Sequence, residues 1–399
     1  MYCAQYGFGS GRNTELACLS LIDRILPAIV NKTYAICIFL DFSACFDTIS
    51  RPILADKLIR YGIQDDDQRF IKSYFSGRSQ CVKYKDAISA TKSQDIGVIQ
   101  GSQNGPLFFD IYANDFSEIC DEGENIHFAD DTCLIYVGHD LTQLTTRVNN
   151  KLKTVLDWCK ANKLSINPSK SELMIFTNKA VLAEPEIFLG IDKINRKSSV
   201  KYLGLHIDDK MHFNNHFDSL KTKLSRFSGV SYRLGAYFNL RAAKNYYYSC
   251  VYSTLTYCVS VYGGQLHTTK GKAVSKLQSR IVHNLFLKYS QNQCPYKYMK
   301  ILKLEDIYRL YAAIHMYKIV QLDINETVGD TMVLSEAPHN YNTRNRHNLR
   351  PPYPRTDTIL YSYKYKFISI WNTVPDAIKI ATSLKIFKRK LTELILESY

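Results

Sequence analysis

The sequence predicts an α+β fold, with a small antiparallel sheet among helices in its first half and a mostly helical second half. Three observations carry this. The apolar, β-prone run Tyr34-Ala35-Ile36-Cys37-Ile38-Phe39-Leu40 has the length of a buried central strand and ends in Asp41. Two further β-prone runs, His127-Phe128-Ala129 and Cys133-Leu134-Ile135-Tyr136-Val137, flank Asp130-Asp131 closely enough for a tight hairpin turn. From about Asn214 the apolar residues recur instead at helical spacing, as Phe217, Leu220, Leu224 and Phe227, interleaved with Lys221, Lys223 and Arg226.

The remaining elements follow from local signals. Ser50-Arg51-Pro52 places a capping residue before a first-turn proline, and Ile53, Leu54, Leu58 and Ile59 make a helical stripe that stops at Gly62. A second helix is predicted over 68–75 with a turn at Gly77, then a hairpin over 80–98 and a helix over 105–116. A polar acidic loop (118–124) precedes the Asp130-Asp131 turn, and an amphipathic helix over 141–162 follows it. A further hairpin is expected through Asn167 and Met174-Ile175-Phe176, and Tyr202-Leu203-Gly204-Leu205-His206-Ile207 reads as a strand. Helical periodicity then runs to about residue 325. The Pro-, Asn- and Arg-rich stretch 335–358 reads as an exposed linker, and 359–399 returns to helix with Phe387 and Leu391 opposite Lys385, Lys388, Arg389 and Lys390.

Charge divides the chain. The net charge is +14, yet residues 1–150 hold 13 basic and 19 acidic side chains, leaving the basic excess to residues 151–399. The stretch 251–300 has seven basic residues and no acidic one. A basic half favours a polyanion, of which nucleic acid is the commonest, while an acidic half can gather carboxylates around metal. The 11 cysteines are scattered with no C-x-x-C, so neither a zinc module nor a disulfide framework is indicated, and they read as reduced thiols of an intracellular protein. His206, His212 and His216 lack a partnering cysteine pair and read as surface or capping residues. No signal pattern or membrane-length apolar run occurs, so no membrane partner is expected and the location reads as nucleus or cytoplasm. Nothing in the sequence sets an oligomeric state.

A carboxylate ending an apolar strand and two more in a strand-turn-strand are poor choices for stability, because gathered like charges repel and raise one another's pKa unless a cation compensates. Mg²⁺ takes hard oxygen ligands and keeps waters and phosphates in its shell, so two or three protein carboxylates suffice. An Asp-Asp turn alone says little, since turns favour aspartate. Its neighbours in sequence make it informative.

Phe39-Leu40-Asp41-Phe42-Ser43-Ala44-Cys45-Phe46-Asp47, then Gly97-Val98-Ile99-Gln100-Gly101-Ser102 with Gly105-Pro106-Leu107, then Phe128-Ala129-Asp130-Asp131, stand in an order that resembles the reverse transcriptases of non-LTR (LINE-type, jockey-like) retrotransposons. Trp158, Asn162, Leu164, Asn167 and Lys170 fit the next motif of that family, and Tyr202-Leu203-Gly204 its primer-grip hairpin. Gln5-Tyr6-Gly7-Phe8 with Arg12 resembles a fingers motif, Arg78-Ser79-Gln80 a finger-to-palm segment, and Tyr341-Asn342-Thr343-Arg344 and Ile370-Trp371-Asn372 the tail of such elements. The resemblance implies a right-hand polymerase: fingers remnant and palm over 1–212, helical thumb over 213–294, and a C-terminal region over 295–399. It implies RNA-directed DNA synthesis from deoxynucleoside triphosphates on an RNA template and DNA primer, with two Mg²⁺ ions (Mn²⁺ as an alternative). Asp41 and Asp130 would ligate metal, with Asp131 completing the cluster. Phe46 would be the steric gate against a 2′-hydroxyl, or else a plain core aromatic. Gln100 and Gly101 would lie along the nascent base pair. Lys170 would protonate the departing pyrophosphate, or else be a solvated surface charge. Asp47 reads as structural. Tyr246, Tyr247 and Tyr248 could stack on bases, although packing between helices is the simpler reading.

The sequence departs from the family's pattern at several points. Residue 1 falls inside the expected fingers, no endonuclease region precedes the palm, and Gly9 stands where an arginine is usual, leaving Arg12 as the substitute contact to the incoming triphosphate. Ile99 replaces proline, Gln103-Asn104 replace apolar residues, and Asp110 lies on an otherwise apolar helix. These features point to a truncated, partly decayed copy or to a gene model that misses its first exons, and the alternative to a working polymerase is an inactive remnant that binds nucleic acid. A purely structural helical scaffold would explain 214–325 but not the ordered motifs.

Overall fold

The computed structural model describes residues 4–9, 11–99, 101–120, 124–181, 183–290, 293–322, 349–353 and 356–399. Gln100, residues 121–123 of the acidic loop, the Tyr341-Asn342-Thr343-Arg344 segment and most of the expected linker at 335–358 lie outside the described residues. The chain forms two compact units, residues 1–17 with 27–198 and residues 18–26 with 199–399.

The first unit is built on an antiparallel sheet. Strand β1 (Tyr34–Leu40) lies at its centre, between β3 (Asp131–Gly138) and β4 (Glu172–Phe176), and β2 (Asn125–Phe128) pairs with β3 on the far side. A strand with neighbours on both sides and cover on both faces must be apolar throughout, and Ala35 to Leu40 are all buried. Ile36, Ile38 and Leu40 share a core with Phe108, Phe109 and Tyr112 and with Leu152 and Val155, each fully buried side chain contributing roughly 1.5–3 kcal/mol.

Helix α1 (Thr14–Val30) precedes β1 and was not foreseen, because Pro27 and an apolar run without a clear polar face obscure its period. Its start is marked by Asn13, whose side chain accepts from the Leu16 amide at 2.9 Å. Helix α2 (Arg51–Arg60) carries the predicted first-turn proline and buries Leu54 and Leu58, but Ser50 makes no capping bond through its side chain. Helix α3 (Asp65–Phe75) begins on three aspartates, favourable at the positive end of a helix, and none of its residues is fully buried. Short ladders, Ser79–Gln80 with Lys92–Ser93 and Lys83–Tyr84 with Ala87–Ile88, form the predicted hairpin. Helix α4 (Asn104–Ala113) continues into a 3₁₀ turn, and α5 (Leu141–Ala161) starts on Asp140, which accepts from the Gln143 amide at 2.7 Å.

One strand pairs differently from the expectation. Met174-Ile175-Phe176 does not form a hairpin with the segment at Asn167 but adds β4 to the sheet beside β1, with Ile36 opposite Ile175. Residues Leu173 to Phe176 are all buried, so burial on both faces outweighs local hairpin formation.

In the second unit the run at 202–207 splits into a hairpin, β5 (Ser199–Tyr202) and β6 (Leu205–Asp208), around Leu203 and Gly204, both at positive φ. Helices follow. α6 (Asn214–Leu234) packs on α7 (Thr269–Phe286), and α8 (Leu304–Gln321) packs on α9 (Tyr363–Thr373) and α10 (Leu384–Glu397). Phe217, Leu220 and Leu224 are buried while Lys221, Lys223 and Arg226 are exposed, as the periodicity predicts. Gln278, buried in α7, donates to the Tyr247 hydroxyl (3.0 Å) and the Leu302 carbonyl (3.0 Å) and accepts from the Leu304 amide (2.8 Å). Tyr247 is thus a packed core residue. His216 is buried against Tyr262 rather than at the surface, neither ring nitrogen is hydrogen-bonded, and burial pushes its pKa down to about 3. Among the described residues no helix is long and apolar enough to cross a membrane.

Candidate active site

The sheet places the expected carboxylates at one edge of the first unit. In the β1–β3 register Leu40 lies opposite Thr132, so Asp41, the next residue, leaves the strand beside Asp131. The chain after β1 is laced to the segment that precedes β4. Asn167 donates its amide to the Asp41 carbonyl (2.8 Å), Ser43 donates to the Ser165 carbonyl (2.8 Å), and Phe42 bridges Ile166. The Asp41 amide reaches the Ser171 hydroxyl at 3.4 Å. This lacing brings Lys170 to Asp41, with Nζ 3.8 Å from Oδ2. Both side chains are largely open to water, and a pair of that kind contributes about 0–1 kcal/mol.

Asp130 and Asp131 sit where β2 turns into β3. Phe128 pairs with Asp131, leaving Ala129 and Asp130 to make the turn, and Ala129 is held at φ +55°. A left-handed conformation with a β-carbon costs about 1–2 kcal/mol. Strain of this kind concentrates at functional sites. Partial desolvation, then the charges of Asp130 and Asp41, raise the Asp131 pKa to about 6. Beneath the turn the Cys45 thiol hydrogen-bonds to Asp130, and burial together with that charge pushes the thiol up to about 12. Asp131 therefore senses both neighbouring carboxylates, and their hard oxygens are the donor type a divalent cation takes. Among the described residues no three acidic, histidine or cysteine groups yet converge into a metal cage.

Phe46 lies in a short helix (Cys45–Thr48), half-buried and stacked on Phe109 at 4.7 Å between ring centroids. Its carbonyl accepts from Val98 at 2.9 Å, and Gly97 donates to Ile49 at 2.8 Å, so the segment before Gln100 lies against the segment after Asp41. Gly97 makes this approach possible. Its φ is +79°, and a β-carbon there would meet the Asp47 carbonyl oxygen at 2.7 Å. Gly101 has φ +77° and open space around it. Asp47 is exposed.

The segment expected to belong to the fingers lies on the sheet beside β2. Gln5 bridges His127, and the Tyr6 amide donates to the His127 carbonyl at 2.7 Å. Arg12 donates its guanidinium to the Gln5 carbonyl and lies over the Tyr6 ring, 5.3 Å from its centroid. In the second unit, Tyr202 is buried, the Leu203 carbonyl accepts from the Tyr257 hydroxyl, and a β-carbon at Gly204 would meet that tyrosine at 3.3 Å.

Sequence reasoning missed two connections in the first unit. The Gln5 carboxamide accepts from the amides of Gly7 (2.8 Å) and Ala129 (3.1 Å) and donates to Asp110 Oδ1 (3.1 Å). Lys57 is buried on α2, with Nζ 2.8 Å from Asp115 and 5.4 Å from the Trp158 ring centroid, and desolvation lowers its pKa. The polar identity of Asp110 and Lys57 at apolar positions was the available signal.

Comparison with known proteins agrees with the resemblance to reverse transcriptases. A family model described as reverse transcriptase (RNA-dependent DNA polymerase) matches residues 2–207. The probable RNA-directed DNA polymerase from transposon X-element of Drosophila melanogaster is 28% identical over 55% of this chain and 24% of its own length. The corresponding figures are 25%, 73% and 33% for the probable RNA-directed DNA polymerase from transposon BS of that organism. For the RNA-directed DNA polymerase from its mobile element jockey they are 27%, 65% and 29%. The chain thus spans a quarter to a third of the length of these relatives. Among solved structures, apo telomerase from Candida tropicalis aligns over 84% of this chain and 56% of its own, at 14% identity and a TM-score of 0.41, too distant a likeness to bear on the site.

Proposed function

Since this chain belongs to the reverse transcriptase (RNA-dependent DNA polymerase) family, we propose that it extends a DNA primer on an RNA template, as the polymerase of a jockey-like non-LTR retrotransposon. The observation that carries this reading is the edge that brings Asp41 and Asp130 to Asp131, where desolvation and then those two charges raise the Asp131 acid to about 6.

The family uses divalent metal ions, and Asp41 and Asp130 would hold two Mg²⁺ (or Mn²⁺), with Asp131 beside them. Bound metal of this kind activates the primer hydroxyl and neutralises the leaving oxygen. The chain's own residues supply the rest. Asp41 is fixed through its backbone to Asn167, so its carboxylate keeps its aim. Phe46, braced by Phe109, would close off the space a 2′-hydroxyl needs. Gln100 and Gly101 would lie along the new base pair, glycine allowing close backbone approach. Lys170 would donate a proton to the departing pyrophosphate. Tyr202, Leu203 and Gly204 would grip the primer, and the exposed Lys221, Lys223 and Arg226 of α6 would follow the duplex backbone without reading sequence.

A second reading has one observation in its favour. Arg12, the candidate cation for the incoming triphosphate, is engaged with the Gln5 carbonyl and the Tyr6 ring. On this reading the chain binds nucleic acid without copying it. Primer extension on an RNA template with Mg²⁺ separates the two. The polymerase reading expects templated DNA that Asp130→Asn reduces on the order of 10³-fold. Absence of templated synthesis by the wild type, with salt-sensitive binding that Asp130→Asn leaves unchanged, would establish the second reading instead.

A further inference from the structure

We propose that Asp110 is a positioning residue for the Ala129–Asp130 turn, acting through Gln5, whose side-chain amide it orients. The catalytic meaning of the turn rests on the polymerase reading above; the positioning itself does not.

The two ends of a glutamine amide have nearly the same shape and opposite hydrogen-bonding character. At Gln5 the oxygen end receives two backbone N–H groups, from Gly7 at 2.8 Å and from Ala129 at 3.1 Å. Turned over, the amide would present its own N–H groups to those donors and lose both bonds. An acceptor at the other end adds to that preference and holds the amide in place. Asp110 Oδ1 is that acceptor, at 3.1 Å from Nε2.

Several features show that Asp110 is not there for stability. It is 3% exposed on a helix whose neighbouring Phe108, Phe109 and Tyr112 belong to the core. Its Oδ2 has no hydrogen-bond partner, and burial raises its acid to about 7. An apolar residue would suit the site better. The 5–7 segment is also built for close approach, since a β-carbon at Gly7 would lie 2.6 Å from the Ala129 amide nitrogen. Ala129 itself is held at φ +55°. The chain from Asp110 through Gln5 thus ends on the backbone of a strained turn whose next residue is Asp130.

The test is amide hydrogen exchange in the full chain, with Asp110→Leu, Asp110→Asn and Gln5→Met variants. Asparagine keeps the acceptor oxygen; leucine and methionine break the chain at either end. We expect the amides of 127–132 to exchange about tenfold faster in D110L and Q5M, as for loss of one hydrogen bond. D110N should exchange like the wild type, and β1 and α5 should stay protected in all three. The thermal midpoint of D110L should not fall, which separates positioning from a role in overall stability. In primer extension D110L and Q5M should lower kcat while leaving the KM for deoxynucleotide unchanged. Wild-type exchange at the turn in D110L and Q5M overturns the proposal, as does D110N exchanging like D110L. Should D110L fail to fold, Q5M decides, since Gln5 is only half-buried. A wild type that makes no DNA refutes the polymerase reading, while exchange still decides the role of Asp110.

Discussion

The acidic edge of the first unit and the α6–α7 helix pair of the second are held together by opposite means. In the helix pair, stability and sequence pattern agree everywhere but at His216: Leu220, Leu224, Val274 and Ile281 are buried, the charged residues face water, and the one buried amide, Gln278, has its bonds made. At the acidic edge the charges of Asp130 and Asp41 bear on Asp131, Ala44 and Ala129 are left-handed, and a buried acid keeps one oxygen without a partner. Local choices that conflict with stability are expected where function selects them. Substitutions should therefore separate the two regions, lowering stability in one and activity in the other.

The largest contrast should come from Asp130→Asn against Leu224→Ala. The first is expected to abolish primer extension, on the order of 10³-fold, with little change in the thermal midpoint. The second should lower unfolding free energy by about 2–5 kcal/mol, measured by denaturant titration, because it leaves a cavity in a closed helix interface. Equal loss of stability in both variants would erase the distinction.

A smaller effect should appear with pH. The Asp110 acid is raised by burial to about 7, above its ordinary value of 3.8, so folding disfavours its charged form. The resulting penalty is absent below pH 4, grows as pH rises from 4 to 7, and is constant above. Asp131, raised to about 6, acts in the same direction, and added Mg²⁺ should relieve its share. Asp110→Asn should thus be more stable than wild type at pH 8, by roughly 1–4 kcal/mol, and equal to it near pH 4. Thermal unfolding at the two pH values checks this, and an unchanged difference would show that Asp110 is not the group responsible.

The smallest effect concerns the exposed cations of α6. Lys223→Gln and Arg226→Gln should leave stability unchanged and each weaken nucleic-acid binding, reducing the salt slope by about one. A slope that does not move would remove α6 from the binding surface.

The same contrast explains what could be read from the sequence. The helix pair was legible because its pattern repeats every turn, and β1 with its terminal Asp41 because an apolar run ends abruptly in a charge. The Asp130-Asp131 turn was legible from its flanking strands. What escaped depends on partners distant in sequence. Nothing near Met174 indicates that it will lie opposite Cys37, and nothing near Gln5 indicates Asp110. Asp110 itself was recognisable as out of place, though not what it binds. His216 escaped for the opposite reason, since a polar residue in an amphipathic helix is ordinarily exposed, whereas tertiary packing against Tyr262 buries it. Helix α1 was hidden by the proline near its end.

The sheet order also governs when the carboxylate edge can come into being. β1 has both of its neighbours downstream, and the residue that fastens the Asp41 backbone is Asn167. During synthesis β1 must wait, unpaired and wholly apolar, until the chain has been made as far as β3 (Asp131–Gly138), and its other side stays open until β4 (Glu172–Phe176) follows. Non-local closure of this kind is slow and leaves a strand edge open to wrong partners. A nascent chain arrested after β3 would already carry Asp41, Asp130 and Asp131 yet lack the lacing that aims the first of them, so limited proteolysis of stalled chains should show protection at Asp41 only once β4 has left the ribosome.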